Sequence, residues 1–277
     1  MSLTKKSIAV VTGAGSGIGR ALSINLANEG VAGLAISDIN ESGLNETAEM
    51  LASYDLEVFT SVVDVSKRED IQRFSDEVIE NFGRATHLIN NAGVGMVGRL
   101  EQLSFEDIKW MMDINFWGTV YGTKIFLPIL QKEKLAHIVN LSSVFGFIAP
   151  PGQSAYCASK FAVRGFTECL RHELDGSNVL ISVVHPGGIQ TNIVKNARQG
   201  EKATEGDMKI ADEMLDTLAK TTPDQAAKTI VKGIKSKNPR ILIGPDAHQI
   251  SIVHRMFPKR YFKIMDRMMG GMLSKYK

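Results

Sequence analysis

Short, almost uninterrupted apolar runs alternate along the chain with longer stretches in which apolar residues recur every three or four positions. The short runs occupy Ser7 to Val11, Gly33 to Ser37, Glu57 to Val62, His87 to Ile89, His137 to Leu141, Val179 to Val184 and Ile241 to Ile243. Their length and β-rich composition predict seven strands. Helical spacing covers Gly17 to Glu29, Glu41 to Tyr54, Lys67 to Phe82, Ser104 to Lys132, Ser154 to Asp175 and Pro223 to Lys237. Strands that are apolar throughout are buried on both faces, and strands separated by helices pair in parallel. The pattern therefore predicts an α/β fold: one Rossmann-type, doubly wound parallel sheet of about seven strands with helices on both faces.

Two segments break the rhythm. Gln190 to Lys220 is polar and contains Gly200 and Gly206; a long excursion in this place is often a lid over a site. Ile250 to Lys277 carries seven Lys or Arg and five Met against the single acid Asp266, a net of +6 that leaves −4 on the rest of a +2 chain. The expected division is a dinucleotide-binding and catalytic unit over residues 1–249 and a basic, Met-rich extension over 250–277. No linker, low-complexity tract or repeat interrupts the first unit.

Composition changes this picture little. With 277 residues, 44% apolar and 22% charged, the chain has the length and make-up of a soluble globular protein with a sizeable core. Outside the tail it is acidic, which argues against a nucleic-acid-binding face. Cys157 and Cys169 fall in one predicted helix and offer neither a disulfide framework nor metal-ligand spacing. No metal is expected, and a reducing cytoplasm fits. No apolar stretch is long enough for a signal peptide or a membrane span, so a cytoplasmic location is expected.

The first strand runs directly into Thr12-Gly13-Ala14-Gly15-Ser16-Gly17-Ile18-Gly19, and a helix starts within that turn. Glycines there let backbone N–H groups approach a pyrophosphate at the positive end of the helix. Asp38 ends the second strand, where an acid can bind both ribose hydroxyls of NAD and repel the 2′-phosphate of NADP. No basic residue follows at Ile39 or Asn40, and Ser16 stands where a basic side chain could have helped a phosphate. NAD is the expected cofactor and NADP the alternative. A strand-end Asp also suits a turn or a helix cap.

Tyr156 and Lys160 lie four residues apart on a predicted helix, so phenol and ammonium can converge on one point. Free tyrosine, with a pKa of about 10, is a poor base at neutral pH. A fixed ammonium and an oxidised nicotinamide both favour the phenolate, which can then exchange a proton with a substrate oxygen. Ser143, thirteen residues before Tyr156, adds an oxyanion-stabilising hydroxyl. Alone, the Tyr–Lys pair equally suits an ordinary exposed helix face; the glycine turn and strand-end acid give it meaning.

With these features in this order, the chain resembles the short-chain dehydrogenase/reductase family over roughly residues 5–245. The matching residues are Thr12 to Gly19, Asp64-Val65, Asn90-Asn91-Ala92-Gly93, Asn115, Ser143, Tyr156, Lys160 and Pro186-Gly187 through Thr191. The resemblance implies that Gly13, Ser16, Gly17, Ile18 and Gly19 cradle the cofactor and that Asp64 and Val65 contact the adenine. It implies that Asn91, Ala92 and Gly93 line the cofactor, as ligands lie at strand ends in a doubly wound sheet. It also implies that Asn115 kinks its helix and holds a water linking Lys160 to solvent, and that Ser143, not Ser142, faces the substrate. Pro186 and Gly187 would open the nicotinamide pocket, while the Ile189 backbone and the Thr191 hydroxyl hold the carboxamide. Tyr156 and Lys160 would touch the cofactor as well as the substrate. Simpler local readings exist: Asp64 as a helix cap, Asn90 to Gly93 as a turn, Asn115 as a solvent-facing residue. His185 is expected to finish its strand without titrating. One departure from the family is Gly30-Val31-Ala32-Gly33, one residue longer than usual; Asp38 is the only acid available there.

The implied reaction interconverts a secondary alcohol and a ketone by hydride transfer, with Tyr156 as acid or base. Val94, Met96, Val97, Val144, Phe145, Phe147 and Ile148 are the expected pocket wall, so a hydrophobic substrate is expected. An NADPH-dependent carbonyl reductase is the alternative of the same class. A non-catalytic cofactor sensor or scaffold is the alternative of another, and it would not need Asn115, Ser143, Tyr156 and Lys160 together. Family members pair through the helices bearing Asn115 and Tyr156, which implies a homodimer or homotetramer. The tail, with its mixture of bases and bulky apolar groups, is expected to pack on its own domain or a neighbouring subunit; contact with a membrane surface is the less favoured option.

Overall fold

The computed structural model describes residues 3–268, 270, 271, 273 and 274. Its first half alternates β1 (Ile8–Thr12), α1 (Gly17–Asn28), β2 (Gly33–Asp38), α2 (Glu41–Leu51), β3 (Glu57–Val62), α3 (Arg68–Phe82) and β4 (His87–Asn90), followed by the two-residue β5 (Met96–Val97). Then come α4 (Phe105–Met112), α5 (Gly118–Leu130), β6 (Ala136–Leu141), α6 (Ser154–Glu173), β7 (Val179–Pro186) and β8 (Arg198–Gln199). The chain closes with α7 (Glu205–Leu218), α8 (Pro223–Lys235), β9 (Arg240–Ile243), α9 (Pro245–Met256) and α10 (Tyr261–Met268). Helix starts carry their expected signals: Thr222 and Gln225 form a reciprocal capping box with Pro223 at the first position of α8, and Ser104 with Asp107 does the same for α4.

Seven strands form one sheet in the order β3-β2-β1-β4-β6-β7-β9, every pair parallel. Alternate residues of each apolar run face opposite sides. Ala9, Val11, Ile36, Val139 and Val184 join Leu22 and Leu26 of α1 and Ile230 and Ile234 of α8 in one core. Val10, Ala35, Leu88 and Ile138 join Phe74 of α3, Phe126 and Leu130 of α5 and Leu170 of α6 in the other. A polar network crosses the second layer. Asn90 and Asn140, partners in the β4–β6 register, are bonded Nδ2 to Oδ1 at 2.8 Å; Asn90 also donates to Thr123 Oγ1 of α5, and Asn140 to Thr167 Oγ1 of α6. The network ties both helices to the sheet.

Three features differ from the sequence expectation. The single helix expected from Ser104 to Lys132 is divided by a π turn at Asp113–Trp117. The polar excursion contains β8, which pairs with β5, and the helix α7. The boundary expected between residues 249 and 250 falls inside α9. Ile250, Val253, Tyr261, Phe262, Met265 and Leu273 pack on Val144, Phe147 and Ile148, so the tail completes a third core cluster of its own domain.

Candidate active site

Strand order reverses between β1 and β4, and ligands bind doubly wound sheets at such a crossover. There the glycine turn is locked to the end of β4. Asn91 Nδ2 donates to the carbonyls of Thr12 (2.9 Å) and Gly13 (3.0 Å), while Thr12 Oγ1 accepts from the N–H groups of Asn91 and Ala92, both at 3.1 Å. A Cβ at Gly19 would overlap the Gly13 carbonyl oxygen, so only glycine lets α1 close onto the turn. Exposed Ser16 caps α1, its side chain bonds none of the first-turn N–H groups, and that turn carries no acid. Half-buried Gly17 and Ile18 therefore stand at a helix end whose dipole and donors suit an anion, which is the fit a dinucleotide diphosphate requires. The Thr191 methyl packs over Gly17.

Asp38 Oδ2 accepts from Gly15 N at 2.8 Å and Oδ1 from Asn40 N at 2.9 Å, fixing its half-buried carboxylate at the rim of the glycine turn. Asp64 is tied into the turn before α3: its Oδ1 accepts from Ser66 N (3.0 Å) and Ser66 Oγ (2.6 Å), and its Oδ2 pairs with Lys67 at 3.6 Å. Val65 is buried in the second core.

On α6, Lys160 Nζ stands 5.7 Å from the Tyr156 ring centroid and donates to the Leu141 carbonyl at 3.2 Å. Burial draws the ammonium down to about 8. Burial pushes the Tyr156 phenol up to about 12, against the opposing hydrogen bond of the Ser143 hydroxyl and with a small upward push from Cys157. The phenol is thus protonated at neutral pH. Ser143 heads a short 3-10 turn, its Oγ accepting from Phe145 N at 3.1 Å. Its carbonyl accepts from His185 Nδ1 at 2.9 Å, which sets that imidazole's tautomer. Burial holds His185 down at about 3, with the Ser143 carbonyl opposing and Arg240 and Arg164 assisting. The Ser142 hydroxyl instead donates to the Lys160 carbonyl at 2.8 Å, facing into the α6 backbone.

Asn115 is fully buried in the π turn. Its Oδ1 accepts from Val94 N (2.8 Å), and its Nδ2 donates to Val94 O (3.1 Å), Ser159 Oγ (3.1 Å) and Met111 Sδ (2.8 Å). A Cβ on Gly93 would stand 3.1 Å from Asn115 Oδ1 and 3.3 Å from Lys160 Nζ, so Asn115, Gly93 and Lys160 are contiguous. The extra residue of a π turn is what aims Asn115 at the loop after β4.

At the end of β7, Pro186 and Gly187 lead into Ile189, which bridges to Thr221. Asp246 of α9 accepts from Gly188 N at 2.7 Å and so fixes this loop from 58 residues away. Sequence reasoning missed Asp246, although Gly244-Pro245-Asp246 carries the Pro and acid of a helix start. The expected pocket residues separate. The Phe145 ring meets Tyr156 edge-on at 6.0 Å, and Met96, buried with Met111 and Ala155, joins half-buried Val94 and Tyr156 in one apolar cluster. Phe147 is 1% exposed and lies behind the site, 4.2 Å from the His185 ring and under the guanidiniums of Arg164 and Arg240. The β5–β8 pairing ties the polar excursion to the loop after β4. Arg198 reinforces it, reaching Asp107 at 3.0 Å and covering Trp110 at 5.0 Å. Beside Ser154, an open pocket of about 550 Å³ is lined by Leu100, Ala149, Pro150, Pro151 and Phe262, with Arg99 at its edge.

A family model described as short chain dehydrogenase matches residues 7–202. The Mycobacterium tuberculosis protein named "Putative oxidoreductase SadH" is 41% identical over 268 residues, covering 96% of each chain. The 11-beta-hydroxysteroid dehydrogenase A of Sesamum indicum is 39% identical over 235 residues, 81% of this chain and 64% of that protein. A Burkholderia phymatum short chain dehydrogenase/reductase, solved in complex with NAD, superposes with a TM-score of 0.82 at 32% identity, covering 92% of this chain and 95% of the other.

Proposed function

Because this chain belongs to the short-chain dehydrogenase/reductase family, we propose that it interconverts a hydrophobic secondary alcohol and its ketone, using NAD in preference to NADP and Tyr156 as acid or base. The observation that carries the reading is convergence. Ser143, Tyr156, Lys160 and Asn115 gather at the strand ends where the glycine turn also opens. Hydride exchange with the carbinol carbon is the chemistry that a bound nicotinamide supplies. Gly13 to Gly19 would hold the diphosphate, Asp38 the adenosine ribose, Asn91 to Gly93 and Pro186 to Thr191 the nicotinamide half, and Lys160 its ribose.

In oxidation Tyr156 takes the substrate hydroxyl proton; in reduction it returns one. The phenol near 12 is the form that reduction needs. Oxidation needs the phenolate, favoured by the Lys160 ammonium and by the charge of an oxidised nicotinamide. The Ser143 hydroxyl donates to the substrate oxygen as negative charge grows there. Asn115, which lies with Gly93 against Lys160, would hold the water through which the Lys160 proton reaches solvent. Val94, Phe145 and the Met96–Met111–Ala155 cluster favour an apolar substrate, as the hydroxysteroid named for one relative would also be. A fluorescence screen with NAD and NADP in parallel, across short, steroid-sized and long-chain alcohols, tests this. Turnover of bulky apolar alcohols with NAD is expected; turnover with NADP alone would overturn the role given to Asp38, and no turnover with any of them would overturn the activity.

A further inference from the structure

The tail helices that complete the third core present a second surface to solvent. Residues 255–260, Arg255-Met256-Phe257-Pro258-Lys259-Arg260, form the elbow between α9 and α10, and all six are exposed. Ile252, one turn back on the same face of α9, is 62% exposed, Met256 65% and Phe257 49%. Large apolar side chains rarely cluster like this on a surface without something covering them. Here they form a tip flanked on both sides by cations: Arg255 before it, Lys259 and Arg260 after it. None of the ion pairs among the described residues engages these three bases. Lys263 and Arg267 continue the basic face along α10 without an acid among the described residues at ion-pair distance, while Met265, on the opposite side of that helix, is buried in the core.

From this geometry we infer that the α9–α10 elbow docks the protein on an anionic phospholipid surface. Met256, Phe257 and Ile252 enter the headgroup–acyl boundary, and the flanking bases pair with lipid phosphates. Charge complementarity selects this occupant. Over residues 250–268 of these two helices and their elbow, Arg255, Lys259, Arg260, Lys263 and Arg267 stand against the single acid Asp266, so a cationic surface surrounds the apolar tip, and a second copy would bring an equally cationic elbow to the same face. Docking is peripheral, since no helix among the described residues is long and apolar enough to cross a membrane. The docked end is also the end that carries the open pocket. Tyr261, directly after the elbow, accepts through its hydroxyl from Ala149 N at 3.2 Å, and Phe262 lines that pocket with Pro150 and Pro151. An apolar alcohol partitioned in the bilayer would thus meet the pocket without crossing bulk water.

The test is co-sedimentation of the full chain with vesicles of phosphatidylcholine alone or mixed with phosphatidylglycerol. Three proteins are compared: the unaltered chain, Phe257→Ser, and Arg255→Gln/Lys259→Gln/Arg260→Gln. The unaltered chain is expected to pellet with the mixed vesicles only, and less as salt rises. The triple variant should lose about 100-fold in partitioning, and Phe257→Ser about tenfold. Both should keep their melting temperature and NADH binding, which separates lost docking from lost folding. Equal partitioning of all three proteins, or none by the unaltered chain, overturns the proposal. So does an oligomer of the unaltered chain that the variants dissolve in the absence of lipid, which would make the elbow a subunit contact.

Discussion

Ser142 and Ser143 are adjacent and identical in type, yet their hydroxyls have different partners. The Ser143 hydroxyl meets Tyr156, whereas that of Ser142 is committed to the Lys160 carbonyl. Replacing Ser143 by Ala should lower kcat by about 10²–10³-fold with cofactor affinity unchanged, the usual cost of losing one oxyanion donor. Ser142→Ala should leave kcat within a few-fold and cost about 1 kcal/mol of stability, as loss of one buried hydrogen bond does. Steady-state kinetics and urea unfolding of the two variants check the assignment, and an exchange of the two phenotypes would contradict it. Tyr156 and Lys160 could be proposed from the sequence because their pairing depends on spacing within one element, and Asp38 because it ends a strand, whereas Asn115 was singled out by the family resemblance alone. Asp246 and His185 were not. Each acts through one tertiary hydrogen bond, to Gly188 and to the Ser143 carbonyl, across 58 and 42 residues, and nothing local to either residue announces its partner.

At the scale of elements, periodicity located the long helices and lost what happens inside them. Apolar residues recur through Ser104 to Lys132 without a gap, yet a π turn adds one residue at Asp113–Trp117 and turns Asn115 inward. A register change of one residue leaves no trace in a pattern that repeats every 3.6. The two-residue strands β5 and β8 are likewise too short to show a period, although their pairing ties the polar excursion to the loop after β4. The seating of α5 depends on Gly122, where a Cβ would overlap the Asn90 side-chain oxygen and disturb the Asn90–Asn140 pair. Gly122→Ala should therefore destabilise the protein by about 1–3 kcal/mol, as overpacking of a close contact does, despite alanine's better helix propensity. Urea unfolding at neutral pH measures this, and a variant as stable as the unaltered chain would remove the network from the account.

For the molecule as a whole, strands buried on both faces write themselves as solid apolar runs, and for that reason the seven-stranded sheet was readable before any contact was known. The tail was less so. Its bases and methionines left open whether it packs on its own domain or on a neighbouring subunit, and Met265 and Leu273 join the core beside Phe147. That core and the sheet enclose two neutral histidines. Burial, with His87 nearby, holds His137 down at about 3, and burial with Arg240 and Arg164 holds His185 there too, against the opposing bond to Ser143. An unfolded chain would protonate both near 6.5 and so bind more protons than the native one below that pH. Their contribution is complete above about pH 6.5 and is lost as pH falls toward 3. Urea midpoints should accordingly be lower at pH 5 than at pH 7, and a higher midpoint at pH 5 would contradict the neutral, buried state of these rings. The proposed reaction requires all of these parts to bring one phenol to a substrate oxygen. The most direct test is single-turnover hydride transfer by Tyr156→Phe, with NADH binding measured on the same protein. Binding should stay within about twofold while turnover falls by roughly 10²–10⁴-fold; near-normal turnover with intact binding would contradict the central role of Tyr156.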